Sequence, residues 1–146
     1  VISRHKHHLA DESDGYTEFE PPKAGSIYVI GVDPAGHGGK DHAAFQVLEV
    51  WSDEWRQVAS FGAVEDPEAF AKRLFEVGTR YNDAIIAVER NGVGVGPITM
   101  LRHLGYKRLF WDSAGKPGVW KSNHEEFVSI LVDALLEREM AGEDDP

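Results

Sequence analysis

The run "IYVIGV" at 27–32 restricts this chain more than any other feature. A near-continuous β-branched apolar run of this length suits a central strand buried on both faces, the kind found in sheets covered by helices. It ends on a carboxylate, Asp33, and the small, flexible "PAGHGG" follows at 34–39. A charge at the mouth of a buried strand needs a reason, because an ionised carboxylate is costly to desolvate without a partner.

Two more strands are expected at 43–50 and 55–62. The short turn 51–54 joins them, so the region from 26 onward opens as a three-strand meander. Asp66-Pro67 reads as an N-cap with a first-turn proline. Phe70, Leu74, Phe75 and Val77 follow at helical spacing, and the helix should end near 78–81. The run "AIIAV" at 84–88 is another buried strand, and it too ends on a carboxylate, Glu89. A second helix is expected at 94–104 with Gly105 as its C-cap, then a short strand at 108–111. A third helix at 122–140 carries Phe127, Ile130, Leu131, Ala134 and Leu135 at three- and four-residue intervals. The fold class is therefore α/β: a mixed sheet of about five strands, a three-strand meander then βα units, covered by helices.

Residues 1–25 are polar, are punctuated by Pro21-Pro22 and Gly25, and read as an irregular linker or N-terminal extension. The folded domain should span 26–141, with an acidic tail at 142–146. His5, His7 and His8 match no familiar metal-ligand spacing and read as part of an exposed polar stretch.

Charge limits the function. Fifteen basic against 25 acidic residues leave a net charge of -10, so the chain as a whole repels polyanions. A nucleic-acid role must rest on a local basic patch or on bound cations. With no cysteine, disulfides and thiolate metal sites are excluded, which fits a reducing compartment. No apolar run reaches membrane-spanning length and no signal-peptide pattern opens the chain, so neither a membrane nor a secreted location is expected.

Ligand sites in open α/β sheets form outside the carboxyl ends of the strands. If the strands ending in Asp33 and Glu89 are parallel neighbours, their carboxylates converge and repel unless a cation lies between them. Oxygen-only ligands suit a hard ion, Mg²⁺ or Mn²⁺. Asp41 is a further candidate ligand, and Arg90 and Asn91 are placed to orient a phosphate or support the carboxylate. The plainer alternative is a turn aspartate at 33 and a Glu89 paired with Arg90 or Arg102. Between 102 and 121, Arg102, His103, Lys107, Arg108, Lys116 and Lys121 face a single acid, Asp112. That excess is either a phosphate-contacting patch near the site or a solvated face. Trp111 and Trp120 serve base stacking or the core.

With "GVDPAGHGGKD" and "VERNGVG" in place, the chain resembles the nuclease domain of the large terminase subunit of tailed bacteriophages. The resemblance covers roughly residues 20–140 and implies an RNase H-like fold that cuts double-stranded DNA during genome packaging. It implies that Asp33 and Glu89 ligate metal in a two-ion phosphodiester hydrolysis, with Asp41 nearby; Lys107, Arg108, Lys116 and Lys121 of the basic stretch are the candidates to contact DNA. It also implies a packaging ATPase domain in the same parent chain, portal and small terminase subunit as partners, and the host cytoplasm as location. No Walker A motif occurs in the sequence. The family's third acid, on a late helix, has no counterpart; Asp144 and Asp145 stand in the wrong context, and the domain reads as truncated at its C-terminal end. Other readings are a resolvase-like nuclease using the same acids, half of a sugar-kinase or actin-like ATPase, and an idle interaction module of the packaging machinery.

Overall fold

A computed structural model describes residues 2–4, 11–34, 43–51, 54–89 and 95–110. Its elements are β1 (Ile2–Arg4), β2 (Asp11–Ser13), β3 (Tyr16–Glu18), β4 (Ile27–Asp33), β5 (Ala43–Val50), β6 (Trp55–Ala63), α1 (Pro67–Arg80), β7 (Ile85–Val88) and α2 (Val95–His103). The strands form one mixed sheet in the order β2-β3-β6-β5-β4-β7, with β1 also pairing with β6. Within it, β4, β5 and β6 are the expected antiparallel meander, and β7 joins β4 in parallel. Of the strand expected at 108–111, the described residues show a parallel bridge from Leu109 to Ile86, and residue 111 lies outside them. Strands β6, β5, β4 and β7 and this bridge make up the five-strand, RNase H-like arrangement.

Within 1–25, the described residues depart from the irregular linker expected of them, since they supply three short strands to the sheet edge. The cause is local. Asp14 (φ 51°) and Gly15 (φ 86°) form a two-residue turn with both positions left-handed, the geometry that closes tight hairpins, and Ser13 pairs with Tyr16 across it. Farther along, the Tyr81 hydroxyl donates to the Glu20 carbonyl (2.6 Å), and the Asn82 amide donates to the carbonyls of Lys23 (2.8 Å) and Ser26 (3.0 Å). These bonds fasten the 16–26 segment to the end of α1.

The sheet has two unlike faces. On one, Ile30, Val32, Phe45, Phe61 and Val88 pack under Phe70, Leu74 and Val77 of α1 and Ile98 and Leu101 of α2. Asp66 caps α1 by accepting from the Ala69 amide (3.0 Å), with Pro67 in the first turn as expected. Past α2, Gly105 (φ 90°) completes a Schellman stop: its amide bonds the Arg102 carbonyl and the Tyr106 amide bonds that of Leu101. Val29, Leu48, Trp55, Ile85, Ala87 and Phe110 form a smaller cluster on the opposite face. The helix expected at 122–140 lies outside the described residues.

A bulge in β6 sets which residues reach which face. Val47 pairs with Ala59 and Leu48 with Gln57, so Val58 is an extra residue in the strand. Its carbonyl accepts from the amides of Phe19 (2.8 Å) and Glu20 (3.1 Å), which secures the edge segment just beyond β3.

Candidate metal centre at the strand ends

Strands β4 and β7 run parallel, with Val32 beside Val88. One step further, Asp33 ends β4 and Glu89 follows β7, and the Glu89 amide donates to the Val32 carbonyl at 3.1 Å. The two acids therefore occupy adjacent positions on strands about 4.8 Å apart. Side chains alternate along a strand, so Asp33 shares a face with Val29, and Glu89 shares one with Ile85 and Ala87. Both acids thus lie on the face opposite α1 and α2, at its carboxyl edge. Asp33 is exposed and Glu89 half-buried.

Two carboxylates so placed suit a divalent cation by charge and by donor type. Among the described residues, no group of three or more Asp, Glu or His stands close enough together to form a complete ligand set. Asp41, Arg90, Asn91, Lys116 and Lys121 lie outside the described residues, as do Asp144, Asp145, Trp111 and Trp120.

Lys107 and Arg108 are not brought to the acids. Leu109 bridges Ile86, so the residues before it lie toward the amino end of β7, whereas Glu89 follows the carboxyl end. Helix α2 is what carries the chain back: its nine residues span about 13 Å. Lys107 and Arg108 line a cavity of about 300 Å³ with Asn82, Asp83 and Gly105. The expectation of a basic patch next to Asp33 and Glu89 is not met by these two residues, because α2 lies between Glu89 and the basic cluster and returns the chain to the other end of β7.

Solved structures share this fold. The large terminase nuclease from thermophilic phage G20c superposes with a TM-score of 0.57 at 14% identity, over 84% of this chain and 88% of that one. The same nuclease with bound cobalt gives 0.60 at 18% identity, over 89% of this chain and 63% of that one. With bound magnesium it gives 0.57 at 14%, over 84% and 87%. No protein-family model and no curated protein sequence matches the chain. The likeness establishes the RNase H-like α/β fold that the two acidic motifs imply. No described helix is long and apolar enough to cross a membrane.

Proposed function

We propose that this chain is a metal-dependent endodeoxyribonuclease domain of a phage terminase large subunit, hydrolysing phosphodiester bonds of double-stranded DNA during genome packaging. The supporting observation is the in-register placement of Asp33 and Glu89 at adjacent parallel strand ends, in a fold shared with terminase nucleases.

Asp33 and Glu89 are the residues that would hold the ion, with Asp41 as an additional ligand. Mg²⁺ and Mn²⁺ fit such a donor set, because Mg²⁺ commonly takes only one or two protein carboxylates and completes its shell with waters and substrate phosphate. Divalent ions held by Asp33 and Glu89 would supply neutralising charge at the scissile phosphate, an activated water and stabilisation of the leaving oxygen. The chain's own contribution is position. The bond from the Glu89 amide to the Val32 carbonyl fixes the end of one strand against the other, so the two backbone positions that bear the carboxylates are held side by side before substrate arrives. Arg90 and Asn91 would orient the phosphate. The packaging ATPase domain of the same parent chain, the portal and the small terminase subunit are the proposed partners, in the host cytoplasm.

Nicking of supercoiled plasmid in Mn²⁺ tests the reading. Activity lost in both Asp33→Asn and Glu89→Gln, with circular dichroism unchanged, supports it. A folded wild-type chain that never nicks in Mn²⁺ or Mg²⁺ overturns it in favour of an idle interaction module.

A further inference from the structure

Beside the acid pair, the face opposite α1 and α2 changes character. Asp33 pairs with Ala44 of β5, and Ala44 pairs with Gly62 of β6. In the next same-face row Gly31 pairs with Gln46, and Gln46 with Ser60. Toward the other end, this face is filled by Leu48, Trp55 and Val29. The half near the acids is thus small, hydroxyl or amide in character and carries no cation among the described residues. It is open as well: a Cβ built on Gly62 would meet nothing within 4 Å. A cavity of about 220 Å³ opens here, lined by Phe19, Gln46, Gln57 and Ser60 among others. Gln57 lines it while only 4% exposed. A buried amide on the wall of an open cavity presents donor and acceptor groups to whatever enters.

We propose that this shelf seats the DNA strand whose phosphate reaches the acid pair, holding sugar and phosphate oxygens by neutral hydrogen bonds from Gln46 and Ser60. This rests on the nuclease reading above. Gln46 is two residues along β5 from Ala44, the partner of Asp33, so it lies about 7 Å from the acid row, within reach of the same strand. Amide and hydroxyl groups contact nucleic-acid backbones without adding charge. Lys107 and Arg108 lie at the other end of β7, so the charge that offsets the chain's net -10 beside this shelf would come from cations held at the acid pair, and the shelf itself contributes position. Phe19 at the cavity wall offers a ring on which a base can stack.

Gln46 and Ser60 are positioning residues, and both are half-buried, so alanine at either leaves the core intact. In Gln46→Ala and Ser60→Ala, the KM for Mn²⁺-dependent plasmid nicking should rise about fivefold, the equivalent of one net hydrogen bond. The loss should fall on KM rather than kcat. Oligonucleotide affinity measured across a salt series in Ca²⁺ should fall by the same factor with an unchanged salt slope, because neutral contacts release no counterions. Unchanged affinity in both variants, or a reduced slope, overturns the shelf. Binding in Ca²⁺ needs no turnover, so the shelf is judged even if the wild-type chain never cuts. Loss of nicking in the wild type with affinity still dependent on Gln46 and Ser60 overturns the acid-pair reading and leaves the shelf standing.

Discussion

Glu18 and Arg80, 62 residues apart, are joined by two parallel hydrogen bonds, from Nε to Oε1 at 2.8 Å and from an Nη to Oε2 at 2.7 Å. The pair ties the edge strand β3 to the last turn of α1. The Tyr16 hydroxyl donates to the same carboxylate at 3.0 Å. The Arg80 bond holds the Glu18 carboxyl below its ordinary value, outweighing the opposing effect of burial. A carboxylate depressed in this way stabilises the fold above the ordinary glutamate range, near pH 4.3, and loses that contribution as pH falls through its folded value. Glu18→Gln should therefore be less stable than wild type at pH 7, by up to about 1 kcal/mol because Arg80 is half exposed. The difference should begin to narrow as pH falls past the ordinary glutamate value and close once Glu18 is protonated in the folded state. Urea titrations at pH 7, 5 and 3 check it.

Gly78 lies inside α1, directly beneath the ring of Tyr106, whose hydroxyl donates to the Ala84 carbonyl. A Cβ there would stand 2.8 Å from the Tyr106 Cζ and 2.9 Å from its Cε1. Alanine would gain about 1 kcal/mol of helix propensity. Against that, forcing a methyl into packed space costs about 1–3 kcal/mol, and the crowding should win. Gly78→Ala is expected to lower the unfolding free energy. In a Tyr106→Ala background the same change should become neutral or favourable, and a double-mutant cycle by urea denaturation reads the coupling directly.

The hairpin turn has a similar test. Gly15 is at φ 86°, and a Cβ there would come within 2.8 Å of the Gly62 carbonyl oxygen. Gly15→Ala should cost about 1–2 kcal/mol for the left-handed backbone alone. Gly25 has φ 84° but nothing within 4 Å of a built Cβ, so Gly25→Ala should cost only the backbone part. Thermal melts of the two variants side by side separate backbone strain from collision.

Removal of metal should matter to stability as well as activity. With Asp33 and Glu89 side by side, Mn²⁺ at a hundredfold excess over its Kd should raise the unfolding free energy by about 2.7 kcal/mol. Asp33→Asn should abolish that gain. In EDTA, the same variant should be as stable as wild type or slightly more so, since it removes one of two neighbouring like charges. Differential scanning fluorimetry with and without Mn²⁺ gives both comparisons.

The legible parts of the fold were those whose local chemistry and tertiary role agree. The β-branched run leading to Asp33, the strand at 43–50 set off by the turn at 51–54, and the Asp66-Pro67 cap each name their element, and each forms where expected. The acids could be paired in advance because both close a buried strand. The edge strands were missed for want of hydrophobic pattern: "DES" and "YTE" are polar, and only Asp14-Gly15 between them signals a hairpin. Lys107 and Arg108 were misplaced because charge clustering along a chain ignores the direction in which a helix returns it. Gln46 was not singled out in the sequence, since its meaning depends on which strand lies beside it.

The extra residue in β6 has an effect beyond anchoring the chain edge. Before Val58 the even positions of that strand turn away from the apolar cluster of Trp55; after it, Ser60 and Gly62 have crossed over to the Trp55 side, while Ala59 and Phe61 sit beneath the helices. The insertion works like a half-turn in a ribbon. One strand brings Trp55 and Ser60 to the same surface although an unbroken zigzag would send them to opposite sides, and in doing so it keeps Phe61 stacked on Phe45.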